Sequence, residues 1–132
     1  MLVSLSIRDV VLIDRLDMEF QPGLTALTGE TGAGKSILLD ALGLALGARG
    51  DSSLVRHGAA QAVVAAEFDL PARHPIRDLL AEQAIDASDG LVLRRQLGAD
   101  GRSRAFVNDQ PASVGLLRQL GEALVEIEGQ FE

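Results

Sequence analysis

The chain contains no cysteine. That excludes disulfides, thiolate metal sites and a cysteine nucleophile. Aromatic residues are scarce: there are four, all phenylalanine, so a core must be built from aliphatic side chains. Two histidines, His57 and His74, stand apart in the sequence and argue against a histidine-based metal centre. No apolar run reaches membrane-spanning length, and no basic segment precedes a short apolar one at the start. The expected setting is the cytoplasm, with no membrane partner. Positive charge is also short. Twelve basic residues face nineteen acidic ones, for a net charge of −7. Such a chain does not coat nucleic acid with its whole surface. Any such contact must come from a local patch or from another part of a larger protein.

What is present points to an ordered domain. The chain has 132 residues, 47% hydrophobic and 23% charged, enough for one modest domain with a core. Gly29-Glu30-Thr31-Gly32-Ala33-Gly34-Lys35-Ser36 matches the phosphate-binding P-loop pattern G-x-x-x-x-G-K-[ST] at every fixed position. Gly29, Gly32 and Gly34 permit a tight loop whose N–H groups turn towards an anion. Lys35 can reach β- and γ-phosphates, and Ser36 offers a hydroxyl to Mg²⁺. Lys35 is the only lysine in the chain. A compact ammonium on a flexible stem suits a phosphate better than the arginines used everywhere else.

The flanks fit the motif. Leu24 to Thr28 reads as a short buried strand after a Gln21-Pro22-Gly23 turn, and Lys35 to Leu46 as a helix capped by Gly47. That helix is apolar nearly all round and therefore expects neighbours on most sides. Before it, Val3, Leu5 and Ile7 alternate with polar residues, as do Leu16 and Met18 with Phe20, which predicts an antiparallel pair. After it, a strand is expected over 61–70, with Val64, Ala66 and Phe68 on one side. A helix follows Pro75, with Ile76, Leu79 and Leu80 as its stripe. Leu91–Leu97 and Ser103–Val107 form a hairpin about Asp100-Gly101. Asn108 to Pro111 reads as a turn, Val114, Leu117 and Leu120 as a helix, and Leu124 to Ile127 as a final buried strand. The expected fold class is α/β: a P-loop nucleotide-binding lobe with an antiparallel β side sheet.

At this point the sequence resembles a known family. Leu5 to Arg8, the stretch from Leu24 to Gly47, Val55-Arg56-His57-Gly58, Ala66-Glu67-Phe68, Leu93-Arg94-Arg95, Gly101 to Asn108 and Gly129-Gln130 resemble, in order, the start of the RecN family of bacterial DNA repair proteins. The resemblance covers nearly the whole chain. It implies the N-terminal half of an SMC-like, ABC-type ATPase head, here residues 1–132, acting in double-strand break repair and recombination beside the nucleoid. It implies that Gly29, Glu30, Thr31, Gly32, Ala33, Gly34, Lys35 and Ser36 bind ATP, that Ser36 ligates Mg²⁺, and that Gln130 touches the metal and the attacking water. Lys35 and Gln130 are then the residues assigned to catalysis. The implied partners are the C-terminal lobe of the same head, a second head in a homodimer, and DNA through the assembled protein. The family usually has histidine on either side of Gly-Gln, where this chain has Glu128 and Phe131. An aromatic residue common after the first strand is replaced by Val10 or Val11. No apolar run ends in Asp-Glu, and no Leu-Ser-Gly-Gly signature occurs. The expectation is one lobe of a head, inactive alone.

Other residues carry weaker signals. Arg94, Arg95, Arg102 and Arg104 fall on one predicted hairpin. They could face DNA phosphates, though a solvated sheet face explains them more simply. Arg56 and His57 fall in a loop after the P-loop helix. An arginine there can approach the nucleotide in SMC-like heads, or it can belong to the surface. His74 reads as a helix-entry residue, and Glu30 and Asp40 as solvent-facing or capping residues. Two other functions fit a P-loop: a small-metabolite kinase, and a non-catalytic nucleotide-binding interaction module.

Overall fold

A computed structural model describes residues 2–19, 32–70, 75–88 and 90–128, with 32–36 and 125–128 described through their backbone alone. Alternation in the first residues produces β1 (Leu2–Val10), whose Leu5, Ile7 and Val10 are fully buried. A two-residue turn at Val11-Leu12 returns the chain as β2 (Ile13–Glu19), antiparallel to β1 with Leu5 opposite Met18 and Ile7 opposite Leu16. Then come helix α1 (Gly32–Ala45), a single 3-10 turn at Ser52–Leu54, β3 (Gln61–Phe68) and helix α2 (Ile76–Glu82). The strands β4 (Leu91–Gly98), β5 (Ser103–Val107) and β6 (Gln110–Ala112) follow, and helix α3 (Val114–Glu128) ends the described chain.

The six described strands form one sheet in the order β2-β1-β3-β4-β5-β6, and every pairing is antiparallel. Because side chains alternate across a strand, the sheet has two unlike faces. The inner face carries Leu5, Ile7, Val64, Ala66, Phe68, Leu91, Leu93, Leu97, Ala105 and Val107, all nearly inaccessible. Helices α1 and α3 cover it: α1 lies over β1, β3 and β4, and α3 over β5. Burying one such leucine stabilises the fold by about 2 kcal/mol. The outer face carries Ser4, Ser6, Arg8, Arg15, Asp17, Glu67, Arg94, Arg104 and Phe106, exposed or half-exposed.

Three sequence expectations are corrected here. Leu124 to Ile127 is not a strand but the last part of α3. The apolar positions Leu116, Leu117, Leu120 and Leu124 follow the helical period, and all four are buried. A four-residue apolar run cannot by itself be told from a helix end. Gln110-Pro111 is not part of a turn; only Asn108-Asp109 turns the chain, and both have positive φ. Pro111 sits on the edge strand β6, where a missing N–H is tolerated. The P-loop helix begins at Gly32 instead of Lys35. The strand expected over 24–28 lies outside the described residues. Among the described residues, no helix is long and apolar enough to cross a membrane.

Candidate nucleotide-binding site

Five residues of the P-loop match, Gly32 to Ser36, form the opening turns of α1. A helix N-terminus leaves its first N–H groups without intrahelical partners and concentrates positive potential there. This is the arrangement that receives a phosphate. Gly29, Glu30, Thr31 and Gln130 lie outside the described residues, as does His74. Asp40 is exposed on α1, as expected of a solvent-facing residue. The apolar helix is covered in part: Ala41, Leu42, Leu44 and Ala45 are buried, Ile37, Leu38 and, just past its end, Leu46 are half-buried, and Leu39 is exposed.

The far end of α1 is fixed unusually tightly. Gly47 has φ +91°. Its N–H donates to Leu44 O at 3.2 Å, and the Ala48 N–H donates to Gly43 O at 2.9 Å. These are the two bonds of a Schellman cap, so Gly47 ends the helix as the sequence predicts. Helix α3 crosses directly over this cap. A Cβ on Gly121 would stand 2.6 Å from Leu46 O, and one on Gly47 would overlap the Arg118 backbone. From below, Arg95 of β4 reaches the same point. Its Nη1 donates to Leu44 O at 3.0 Å and to Ala48 O at 2.7 Å, and its Nε donates to Ser103 Oγ. Arg95 is 3% exposed and is the only buried polar or charged residue among those described. Burial, and secondarily the charge of Arg118, push its pKa below the usual arginine value.

The expected basic patch therefore divides. Arg95 is withdrawn from it, because it stands on the inner face between Leu93 and Leu97. Arg94, one residue away, is on the outer face. Its guanidinium lies 4.2 Å from the centre of the Phe106 ring and its Nη1 is 3.7 Å from Asp109 Oδ1. Arg104 is on the same face opposite Gln96, and Arg102 is exposed in the turn, 3.6 Å from Asp100 Oδ2. Arg56 is held by the β1–β2 hairpin: its Nη1 lies 3.7 Å from Asp9 Oδ1 and 3.8 Å from Asp14 Oδ1, and its N–H donates to Asp9 O. His57 is exposed beside it.

Three surface carboxylates have lowered pKa values. Asp17 accepts a hydrogen bond from Ser6 Oγ at 2.7 Å and another from Arg15. Asp51 caps the 3-10 turn through the Ser53 N–H, and Asp86 accepts the Ser88 N–H. None adjoins α1's first turn in sequence. No group of three or more His, Asp or Glu side chains among the described residues could hold a metal ion.

A family model for the AAA domain matches residues 4–75. The chain is 47% identical over 132 residues to the DNA repair protein RecN of Xylella fastidiosa (strain 9a5c), a match that covers all of this chain and 24% of that protein. It is 44% identical over 133 residues to the DNA repair protein RecN of Bacillus subtilis (strain 168), covering all of this chain and 23% of that one. The chain thus spans about a quarter of the length of these curated relatives. Among solved structures it superposes with a TM-score of 0.75, at 27% identity, on a chain from work on ATP-driven dimerization and DNA stimulated activation of SMC ATPases. That match covers 99% of this chain and 84% of the other.

Proposed function

The chain belongs to the AAA domain family and is RecN-like along its whole length, and from that premise we propose that it is the ATP-binding lobe of a RecN-type, SMC-like ATPase acting in DNA double-strand break repair and recombination. The fold is that of an SMC-type ATPase head, α/β with an antiparallel side sheet. One observation carries the functional reading: the segment that completes the P-loop match forms the opening turns of a helix whose other end is hydrogen-bonded by Arg95.

In this reading the backbone from Gly29 to Ser36 cradles the triphosphate. Lys35 neutralises the β- and γ-phosphates and Ser36 ligates Mg²⁺. Gln130 would help to hold the metal and orient the attacking water. The donor chemistry fits Mg²⁺, which is commonly bound through phosphate oxygens, waters and one or two protein oxygens. Ser36, whose backbone lies in the opening turns of α1, would supply one such oxygen without an acidic cage. Ser36 would hold the ion, which would supply positive charge against the phosphates. The chain has no Asp-Glu pair ending an apolar run and no Leu-Ser-Gly-Gly signature. The C-terminal lobe of the same head and a second head are therefore the partners that complete the site, and the lobe alone turns over little or no ATP. DNA engages the assembled protein at the nucleoid. The kinase alternative draws no support from the relatives, and a purely non-catalytic module is disfavoured by the likeness to a chain from work on SMC ATPases.

Titration of MgATP into the chain tests the assignment. Lys35→Ala is expected to weaken binding about tenfold to a hundredfold, the worth of one charge-assisted contact to phosphate. Equal affinity in the two proteins would contradict it.

A further inference from the structure

We infer that Arg95 is a positioning residue for nucleotide binding: it locks the C-terminal end of the P-loop helix so that the helix presents its opening turn in one fixed place. The inference rests on the ATP-lobe reading and adds a residue that never touches the nucleotide.

The argument begins with what α1 lacks. It has no basic residue in its last turn, although a helix C-terminus carries unpaired carbonyls and negative potential. The sheet beneath supplies the cation instead. Space-filling does not explain the choice, because Leu93 and Leu97 fill the neighbouring positions of the same face with hydrocarbon. A charge buried this deeply is costly unless well bonded, and none of the described ion pairs gives Arg95 a carboxylate. Its Nη1 bonds go to two carbonyls at the end of α1, and Ser103 aims the guanidinium.

The loop after the helix is shaped to the same group. A Cβ on Gly50 would fall 3.2 Å from Arg95 Nη2 and 2.9 Å from Leu97 Cδ1. Helix α3 closes the third side through Gly121 and Gly47. The end of α1 is thus fixed from the sheet, the following loop and α3. A helix of fourteen residues is a rod about 20 Å long, so a shift or rotation at one end is carried to the other. Without Arg95 the hydrocarbon packing of α1 still holds it on the sheet but no longer fixes its rotation.

The test measures ATP affinity of the chain well below the melting temperature, where every molecule is folded and a loss of global stability leaves the dissociation constant unchanged. Arg95→Met is expected to weaken ATP binding about tenfold, equivalent to about 1.4 kcal/mol. Arg95→Lys, which keeps one charged donor, should recover part of that loss. Leu93→Ala, a buried control on the same strand, should lower the melting temperature while leaving affinity unchanged. Should Arg95→Met fail to fold, Arg95→Lys and Ser103→Ala carry the test, each with a measurable loss of affinity expected. Wild-type affinity in the folded Arg95 and Ser103 variants would reduce Arg95 to a stabilising residue and overturn the inference. An equal loss in Leu93→Ala would also overturn it. A wild-type chain that binds no ATP, or a Lys35→Ala chain that binds it as well, would overturn the nucleotide reading itself.

Discussion

Arg94 and Arg95 are consecutive residues on one strand, and they live on opposite sides of the same sheet. Among the described residues the inner side is hydrocarbon apart from the Arg95 guanidinium and the Ser103 hydroxyl bonded to it, closed by α1 and α3. The outer side mixes arginines, carboxylates and serines with half-buried Val63, Ala65, Val92 and Phe106. Arg94 rests on an aromatic ring in partial contact with water, while Arg95 spends its charge on helix carbonyls. Charge in a sequence therefore has no fixed meaning until its face is known. One of these arginines braces the end of α1, and the other lies half-exposed on the outer face.

The largest difference should appear in stability. Replacing Arg95 by Met leaves the Leu44 and Ala48 carbonyls without their side-chain donor and should cost about 2–4 kcal/mol in urea unfolding, from two charged hydrogen bonds partly offset by cheaper burial. Arg94→Met loses an exposed ion pair and a ring contact and should cost under about 1 kcal/mol. Equal losses would erase the distinction between the faces. DNA binding by the assembled protein should show the opposite ranking. Replacing Arg94, Arg102 and Arg104 by Gln should weaken binding and flatten its salt dependence, with a slope change of up to about 3. Adding Arg95→Gln should not flatten it further. An unaltered slope in the triple variant would return the outer arginines to a solvated face.

The smallest effect lies at the outer edge. Asp17 is held below its ordinary pKa by Ser6 and Arg15. A carboxylate with a depressed folded value contributes stability that is present above its unfolded pKa, near 3.8, and lost as pH falls through the lower folded value. Asp17→Asn should lower stability slightly at neutral pH, leave it close to that of the unsubstituted chain at the acid limit, and so make the fall below about pH 5 slightly shallower. A steeper fall would reverse the sign and refute the assignment of its hydrogen bonds.

Much of this was readable from the amino acids. Period-two alternation located β1, β2, β3, β4 and β5, and Gly47 was legible as a cap because only a residue at ease with positive φ closes that turn. The P-loop match rests on residue types whose chemistry is specific. The end of α3 was not legible, because Leu124-Val125 with Ile127 fits strand and helix alike and the packing of Leu124 decides between them. Strand β6 was hidden by its proline, which an edge position admits. The grouping of Arg95 with the other arginines fails against a signal present in the sequence. Leu91, Leu93, Arg95 and Leu97 share one parity, and that parity is the core face. Grouping it with Arg94, Arg102 and Arg104 by sequence distance overrode the alternation that placed it.

ATP turnover by the chain, alone and mixed with the separately produced C-terminal lobe of a RecN-type protein, tests the central claim most directly. The account predicts that the chain alone binds ATP but releases phosphate at background rate. It predicts that mixing raises both solubility and melting temperature, and that turnover appears only in the mixture and disappears with Lys35→Ala. A lone chain that melts cooperatively as a monomer and hydrolyses ATP as fast as the mixture would be a self-sufficient enzyme, and would contradict the account.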